Sequence, residues 1–127
     1  MAFCEFKNVR IAGIAAGVPK NVVSILNGDN DSVLAEGTSA EDFVEATGVK
    51  ERRISQNLTT SDLCVAAAEK LIVDLNWNKD DIDAIFFVSQ TADYILLATS
   101  CIIKDRLGLS KECYATDIAL GCSGWVY

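Results

Sequence analysis

Two apolar segments on either side of a helical pattern limit the folds open to this chain more than any other feature. Residues 82–88 end in an unbroken apolar run, Ile-Phe-Phe-Val, and residues 113–120 form a second short apolar segment. A continuous apolar run is typical of a strand that is covered on both faces, as in a parallel sheet. Because parallel neighbours need a crossover connection, the helical pattern over residues 97–107 predicts a β-α-β unit.

Earlier segments extend this alternation of strands and helices. Further strands are predicted over residues 9–19 and 21–26, and further helices over residues 40–47 and 62–75. Ser39 can cap the first of these helices, and Gly48 stands where a left-handed C-terminal cap belongs. Residues 27–32 are predicted to form a loop, and the polar residues 49–59 to be irregular. Residues 1–127 therefore fit a single α/β domain, with helices packed on a mostly parallel sheet.

The clearest helical pattern covers residues 62–75, where apolar side chains recur at three- and four-residue steps. Such spacing places them on one face of a helix, and that face is expected to be buried. Its members are Leu63, Ala66, Ala67, Leu71 and Leu75.

Composition excludes several classes of function. The net charge is −7, with 11 basic and 18 acidic residues, which argues against nucleic acid because such binding depends on basic contacts to phosphate. No apolar run reaches the length of a membrane span, and the first ten residues do not read as a secretory signal. Five cysteines without an export signal indicate reduced thiols in the cytoplasm. No Cys-x-x-Cys pair and no histidine occur, so no metal site is expected.

The last strand leads into the segment Gly121-Cys122-Ser123-Gly124, which puts a thiol on a sharp strand-to-helix turn. The first N–H groups of a helix lack partners and favour negative charge, and the thiolate is the nucleophilic form of cysteine. Glycines suit so tight a turn, and open α/β sheets place their sites at the carboxyl ends of strands. Cys122 is therefore the candidate nucleophile. The alternative is a small buried cysteine that happens to follow a strand.

Other conspicuous side chains have structural interpretations. Asp117 is expected to cap nearby backbone rather than to act as an acid. The basic cluster of Lys50, Arg52 and Arg53 is interpreted as a solvated loop. Core packing is expected for Cys64, Cys101, Cys113, Trp125 and Tyr127.

Two segments of the chain resemble a known family, 3-oxoacyl-acyl-carrier-protein synthase III. Residues 46–54, Ala-Thr-Gly-Val-Lys-Glu-Arg-Arg-Ile, are similar to its Thr-Gly-Ile-x-Glu-Arg segment. Residues 117–125, Asp-Ile-Ala-Leu-Gly-Cys-Ser-Gly-Trp, are similar to its nucleophile segment. The likeness runs from about residue 9 to residue 127 and covers the N-terminal part of the family's chain. It implies a thiolase-like fold of which this chain is the N-terminal half.

The resemblance also implies a reaction and its partners. Cys122 would take an acyl group from acyl-coenzyme A and condense it with malonyl-acyl-carrier protein, in a decarboxylative Claisen condensation of fatty acid biosynthesis. The family's His and Asn lie in its second half, so this N-terminal half could be acylated but could not by itself decarboxylate the malonyl thioester. A homodimer in the cytoplasm is expected, with no cofactor beyond the two substrates.

Individual residues of this chain also correspond to functional positions of the family. Thr38 matches a threonine of the coenzyme site, and Leu96 matches a bulky residue that closes the acyl tunnel of the other subunit. The family's adenine-clamping Trp and Arg correspond to Asp42 and Ala46, which cannot stack or pair in that way. Because the carrier protein is acidic, its docking site should be basic, either near residues 50–53 or on the family's second half.

Three alternatives remain open from the residues. One is another thiolase-fold enzyme, such as a thiolase, a hydroxymethylglutaryl-coenzyme A synthase or a polyketide-type synthase. The second is a non-catalytic half or assembly subunit, since a cysteine nucleophile normally works with a base and this sequence has no histidine. A thiol hydrolase is the third, although Gly-Cys-Ser-Gly differs from the Gly-x-nucleophile-x-Gly pattern.

Overall fold

A computed structural model describes residues 5–27, 34 and 36–126. Contacts between residues divide the chain into two compact units, one formed by Met1–Gly17 with Thr60–Tyr127 and the other by Val18–Thr59. The strands are β1 (Val22–Ser24), β2 (Glu51–Arg53), β3 (Ala84–Val88) and β4 (Tyr114–Ile118), and the α-helices are α1 (Ala40–Thr47), α2 (Thr60–Asp74) and α3 (Thr99–Leu107). Two short 3-10 helices cover Lys79–Asp81 and Cys122–Trp125.

The larger unit is built on the predicted β-α-β unit, which the structure confirms. Strands β3 and β4 pair in parallel, with Ala84 opposite Tyr114 and Val88 opposite Ile118. Helix α3 connects them and ends at Gly108, whose left-handed φ of 65° fits a glycine C-cap.

The core of this unit lies between β3 and the two longer helices. Its buried members are Val65, Phe87, Ile103, Leu107, Leu109 and Cys113. Successive strand side chains point to opposite faces, and along β3 Phe87 is 6% exposed whereas Phe86 is 60% exposed. The prediction that both faces of this strand are covered is therefore wrong for the described chain, which covers only the Phe87 face.

Helix α2 packs with two faces, one of which the sequence did not indicate. Val65 and Ile72 are buried, and Val65 belongs to the core. Most of the predicted apolar face is half-buried and lies against residues 13–17 of the extended N-terminal segment. A Cβ atom on Gly17 would lie 2.5 Å from the carbonyl oxygen of Leu63, so a side chain has no room there. Ala66 is exposed, and its predicted burial is wrong.

The strand predicted over residues 9–19 is also wrong as a hydrogen-bonded element. Residues 9–19 belong to no strand, but residues 12–17 keep a period of two in which odd positions are half-buried and even ones exposed. The alternation of exposed and half-buried residues indicates an extended backbone with one inward face. A strand also needs a hydrogen-bonded neighbour, which this alternation cannot indicate.

The smaller unit contains the antiparallel pair of β1 and β2 and the helix α1. Val22 pairs with Arg53, and Ile25, which is fully buried, donates its N–H to the carbonyl of Lys50 at 2.9 Å. Strand β2 corrects the prediction that residues 49–59 are irregular, because its partner β1 lies too far away in sequence to give a local signal. Of the predicted loop 27–32, only residue 27 lies within the described residues.

Helix α1 begins and ends as the sequence predicts. The Ser39 hydroxyl accepts a hydrogen bond from the Asp42 N–H at 3.0 Å. Gly48 has a left-handed φ of 73°, and its N–H donates to the carbonyl of Val44 at 2.8 Å. Both caps satisfy backbone groups that a helix end leaves without partners.

Candidate functional site

Cys122 lies at the carboxyl end of β4, on the turn that the sequence singles out. Strand β4 ends at Ile118, and the N–H of Leu120 donates back to the Ile118 carbonyl at 2.9 Å. Cys122 then begins a single 3-10 turn in which the N–H of Gly124 donates to the Gly121 carbonyl at 2.9 Å. The cysteine is exposed, so its thiol can be reached from solvent.

Close packing explains one of the two flanking glycines. A Cβ atom on Gly124 would run into the Val88 side chain and would lie 3.1 Å from the Leu120 Cβ. Gly124 is buried, and only a glycine lets the turn approach β3 so closely. Gly121 meets no such barrier, since a Cβ there would lie at an ordinary 3.5 Å from the Gln90 side chain.

The backbone at the cysteine is available to a ligand. Among the described residues no acceptor is found for the Cys122 N–H, as expected for the first residue of a helical turn. An N–H group without an acceptor beside a cysteine sulfur is the kind of donor that can stabilise a tetrahedral oxyanion.

An open apolar cavity of about 270 Å³ adjoins the cysteine turn. It is lined by Phe86, Val88, Ile118, Gly124 and Trp125, so it lies on the uncovered face of the β3–β4 sheet. Trp125 is 83% exposed, which corrects the prediction that it packs in a core. One 3-10 turn offers the indole few neighbouring side chains to pack against. The same prediction for Tyr127 falls outside the described residues.

Asp117, five residues before Cys122, joins β4 to α3. Its two carboxylate oxygens accept hydrogen bonds from the N–H groups of Thr99 at 2.7 Å and Ser100 at 2.8 Å. Burial alone would raise the pKa of Asp117, but hydrogen bonds from Ser100 and Thr99 outweigh it and hold the pKa below its usual value. The capping role predicted for Asp117 is confirmed.

The other described cysteines differ in how deeply they are buried. Cys113 is buried in the core, as predicted, and Cys64 is half-buried against it. Burial raises the pKa of the Cys64 thiol, and the charge of Asp93 raises it further. Cys101 is exposed, so its predicted core role is wrong. It precedes the buried Ile103 by two positions on α3 and therefore points to the opposite side of that helix.

The two predicted substrate-binding residues lie in different units. Thr38 is half-buried and precedes the α1 cap in the unit Val18–Thr59. Leu96 belongs to the unit that contains Cys122 and is 87% exposed, in the loop between β3 and α3.

Sequence reasoning missed Asp93, which lies in the same loop. Its carboxylate Oδ1 accepts a hydrogen bond from the N–H of Ser61 at 3.2 Å, at the start of α2. A helix cap normally comes from the residue just before the helix, and this one comes from a residue far along the chain. No local pattern could have indicated it.

The described part of the chain contains no group of three or more Cys, Asp or Glu side chains that could hold a metal ion. Within the same residues, no helix is both long and apolar enough to cross a membrane.

Known proteins are similar to this chain in sequence and in fold. The beta-ketoacyl-[acyl-carrier-protein] synthase III of Fusobacterium nucleatum is 36% identical over 123 residues, which are 95% of this chain and 36% of the relative. The same enzyme of Clostridium perfringens is 32% identical over 122 residues, again 95% of this chain and 36% of the relative. No family model matches the chain.

Among solved structures, the 3-oxoacyl-(acyl-carrier protein) synthase of Burkholderia xenovorans LB400 superimposes with a TM-score of 0.81 and 39% identity. The match covers 91% of this chain and 33% of that chain. The chain thus spans about a third of the length of the proteins that it resembles.

Proposed function

Because the chain belongs to the beta-ketoacyl-[acyl-carrier-protein] synthase III family over the third of the family's length that it spans, we propose that it supplies the nucleophilic cysteine of a condensing enzyme in fatty acid biosynthesis. The observation that carries this proposal is the exposed Cys122 on the turn after β4, beside an N–H group without an acceptor among the described residues. Both features are what acyl transfer to sulfur requires.

In the proposed first step, the Cys122 thiolate attacks the carbonyl carbon of an acyl-coenzyme A thioester. The carbonyl oxygen becomes an oxyanion, to which the Cys122 N–H can donate a hydrogen bond. The carbon–sulfur bond to coenzyme A then breaks, and coenzyme A leaves as a thiolate that takes up a proton from solvent. The product is an acyl group held on the Cys122 sulfur as a new thioester.

The second step uses a His and an Asn that the proposal places outside this chain. Malonyl-acyl-carrier protein loses carbon dioxide, and the resulting carbanion attacks the carbonyl of the acyl-cysteine. The cysteine sulfur leaves, and the product is a β-ketoacyl thioester on the carrier. In the proposed scheme a His and an Asn from the remaining part of the family's length bind the malonyl thioester carbonyl. This chain has no histidine that could take the first of these roles.

Substrate contacts and partners complete the proposal. Thr38 would contact coenzyme A, and Leu96 would border the acyl group, in an assembly of two copies in the cytoplasm. Asp42 and Ala46 cannot clamp an adenine between them. In addition, the Asp42 N–H is already committed to the Ser39 cap. Coenzyme A would therefore be held through contacts other than the family's aromatic clamp.

Mass spectrometry of the intact chain tests the first step directly. Incubation with isotopically labelled acetyl-coenzyme A is expected to add one acetyl group, and Cys122→Ala to abolish the addition. Cys101→Ala is the matched control, because this second exposed cysteine has no part in the proposed chemistry. Labelling that persists in Cys122→Ala, or that disappears in Cys101→Ala, would contradict the proposal.

A second candidate function, the assembly subunit, is favoured by the uncovered face of the β3–β4 sheet. Phe86 and Tyr114 lie on that face with their ring centroids 5.9 Å apart, and both are more than half exposed. Exposed aromatic side chains of this kind often mark a surface that another chain covers. A stable complex with a second thiolase-fold chain, without any acylation of Cys122, would favour this candidate over the condensing enzyme.

A further inference from the structure

The segment between β3 and α3, residues 89–98, combines a fixed base with an exposed apolar tip, and we name it the arm. Its tip consists of Tyr94, Ile95, Leu96 and Leu97, of which Ile95 is fully exposed and the others are more than 60% exposed. Without a fixed base, a tip of four apolar side chains exposed to solvent would have no defined position.

The first half of the base is bound to the start of α2. The Thr60 hydroxyl donates to the Thr91 carbonyl at 3.0 Å, and the N–H of Ser61 donates to Asp93 Oδ1 at 3.2 Å. The negative charge of Asp93 lies at the N-terminal end of α2, where the helix dipole favours it. The arm therefore has a charge-assisted attachment to α2.

The second half of the base is bound to the start of α3. The N–H of Asp93 donates to the Thr99 hydroxyl at 3.2 Å, and Thr99 is fully buried. The N–H of Thr99 in turn donates to Asp117, at 2.7 Å. Asp93 is thus hydrogen-bonded to both helices, through its carboxylate to α2 and through its backbone N–H to α3.

The backbone conformation of Leu97, at the tip, is one that contacts elsewhere in the structure must maintain. Leu97 has a φ of 116°, which side chains larger than hydrogen rarely adopt. Such a conformation persists only where the surrounding structure fixes it. The attachments at Asp93 and Thr99 lie on either side of this residue.

We propose that Asp93 is a positioning residue, which holds the arm to α2 and α3 and thereby sets the acyl-length preference at Cys122 of the other copy in the proposed two-copy assembly, through the placement of Leu96. The part that concerns acyl length rests on the proposed function, in which Leu96 borders the acyl group. The part that concerns the arm rests on the hydrogen bonds at its base and needs no substrate.

Limited proteolysis with chymotrypsin tests the arm without any substrate. The readout is cleavage after residues 94–97 divided by cleavage after Trp77, an exposed aromatic residue elsewhere in the same unit. Asp93→Ala is expected to raise this ratio by about tenfold, because cleavage follows the population of the detached arm. Asp93→Asn keeps an oxygen that accepts from the Ser61 N–H and is expected to restore a ratio close to that of the unaltered chain.

Ser39→Ala is the matched control for a loss of stability alone. It removes the α1 cap in the other unit and is expected to leave the cleavage ratio unchanged. The second readout is the acylation rate of Cys122 with acetyl- and with octanoyl-coenzyme A. Asp93→Ala is expected to change the ratio of the two rates by about fivefold or more, and Asp93→Asn to restore it.

The cleavage ratio tests whether Asp93 positions the arm, and the acylation rates test the link to acyl length. An unchanged cleavage ratio in Asp93→Ala, or an equal rise in Ser39→Ala, would overturn the positioning role. A raised cleavage ratio with an unchanged acyl preference would overturn the link to acyl length. If the unaltered chain accepts neither acyl group, the proposed function and the acyl-length link fail together, while the cleavage ratio still decides whether Asp93 holds the arm.

Discussion

The Asp117 carboxylate on β4 accepts hydrogen bonds from the first two N–H groups of α3. Helix α3 has no cap from its own preceding residue, Ala98. The sequence predicts that Asp117 caps backbone but does not indicate which helix, because the two partners are separated along the chain by an entire helix. A single side chain thereby fixes the distance between a strand and its crossover helix.

Replacement of Asp117 by Asn is expected to lower the free energy of unfolding by about 1 kcal/mol near neutral pH. The folded-state pKa of Asp117 is lowered, so its stabilising effect is fully present above the unfolded-state value of about 4 and is lost as pH falls through the folded-state value. The difference between the two proteins should therefore shrink on going from about pH 7 to about pH 3. Urea unfolding followed by circular dichroism measures it, and a difference that is unchanged at the lower pH would contradict the prediction.

Cys64 and Cys101 are expected to differ in reactivity. Burial and the nearby Asp93 raise the pKa of Cys64, so a smaller fraction of it is thiolate at neutral pH, and it is also less accessible than the exposed Cys101. Alkylation by iodoacetamide should be at least about tenfold slower at Cys64 than at Cys101. Peptide mass spectrometry after timed quenching measures both rates. In urea the two cysteines should become similar, and a difference that survives unfolding would exclude the structural explanation.

At the scale of elements, α2 shows both what a sequence pattern predicts and what it leaves out. The three- and four-residue spacing correctly places the helix, but it identifies only the face that lies against residues 13–17. The core face, with Val65 and Ile72, is a second stripe, offset around the helix from the predicted one. A helix packed on two sides has two apolar stripes, and a search for a single stripe finds only one of them.

Gly17 and Gly13 offer a matched pair of substitutions at this contact. Gly17→Ala is expected to lower the free energy of unfolding by about 1–3 kcal/mol, because the new methyl would lie 2.5 Å from the backbone carbonyl of Leu63. Gly13→Ala should cost less, since its methyl would meet the flexible end of the Leu71 side chain at 2.9 Å. Thermal and urea unfolding of both variants measure the order. An equal or reversed order would contradict close backbone approach as the reason for Gly17.

Whether an element could be predicted depended on how far apart in the sequence its interacting residues lie. The caps of α1, the end of α3 after residue 107 and the turn at Cys122 depend on near neighbours in sequence, and all were predicted. Strand β2 and the lack of strand pairing at residues 9–19 depend on whether a distant partner is present, and the sequence pattern misled for both. Asp93 belongs to the second group, because its two helices are brought to it only by the fold.

At the scale of the whole molecule, the uncovered face of the β3–β4 sheet is the most conspicuous property of the larger unit. Side chains at positions 86, 114 and 125 present aromatic surface to solvent. The relatives are about three times as long, so in them additional chain is available to cover such a face.

The dye ANS, which fluoresces on apolar surfaces, should report this face. Phe86→Ser is expected to reduce ANS fluorescence at least about twofold without a loss of helical circular dichroism, because Phe86 is 60% exposed and contributes little to the core. Val73→Ser provides the control, since Val73 is exposed on α2, away from the sheet. Equal effects of the two substitutions would mean that the dye does not bind at the sheet.

The contact between Gly124 and Val88 limits which residues related sequences can have at these two positions. The 3-10 turn that carries the Cys122 sulfur packs against the Val88 side chain at Gly124. A bulkier residue at either position would tilt the nucleophile away from the sheet, and only a compensating reduction at the other could bring it back. Natural variants at these two positions should therefore change in opposite directions of size, as a coupled pair.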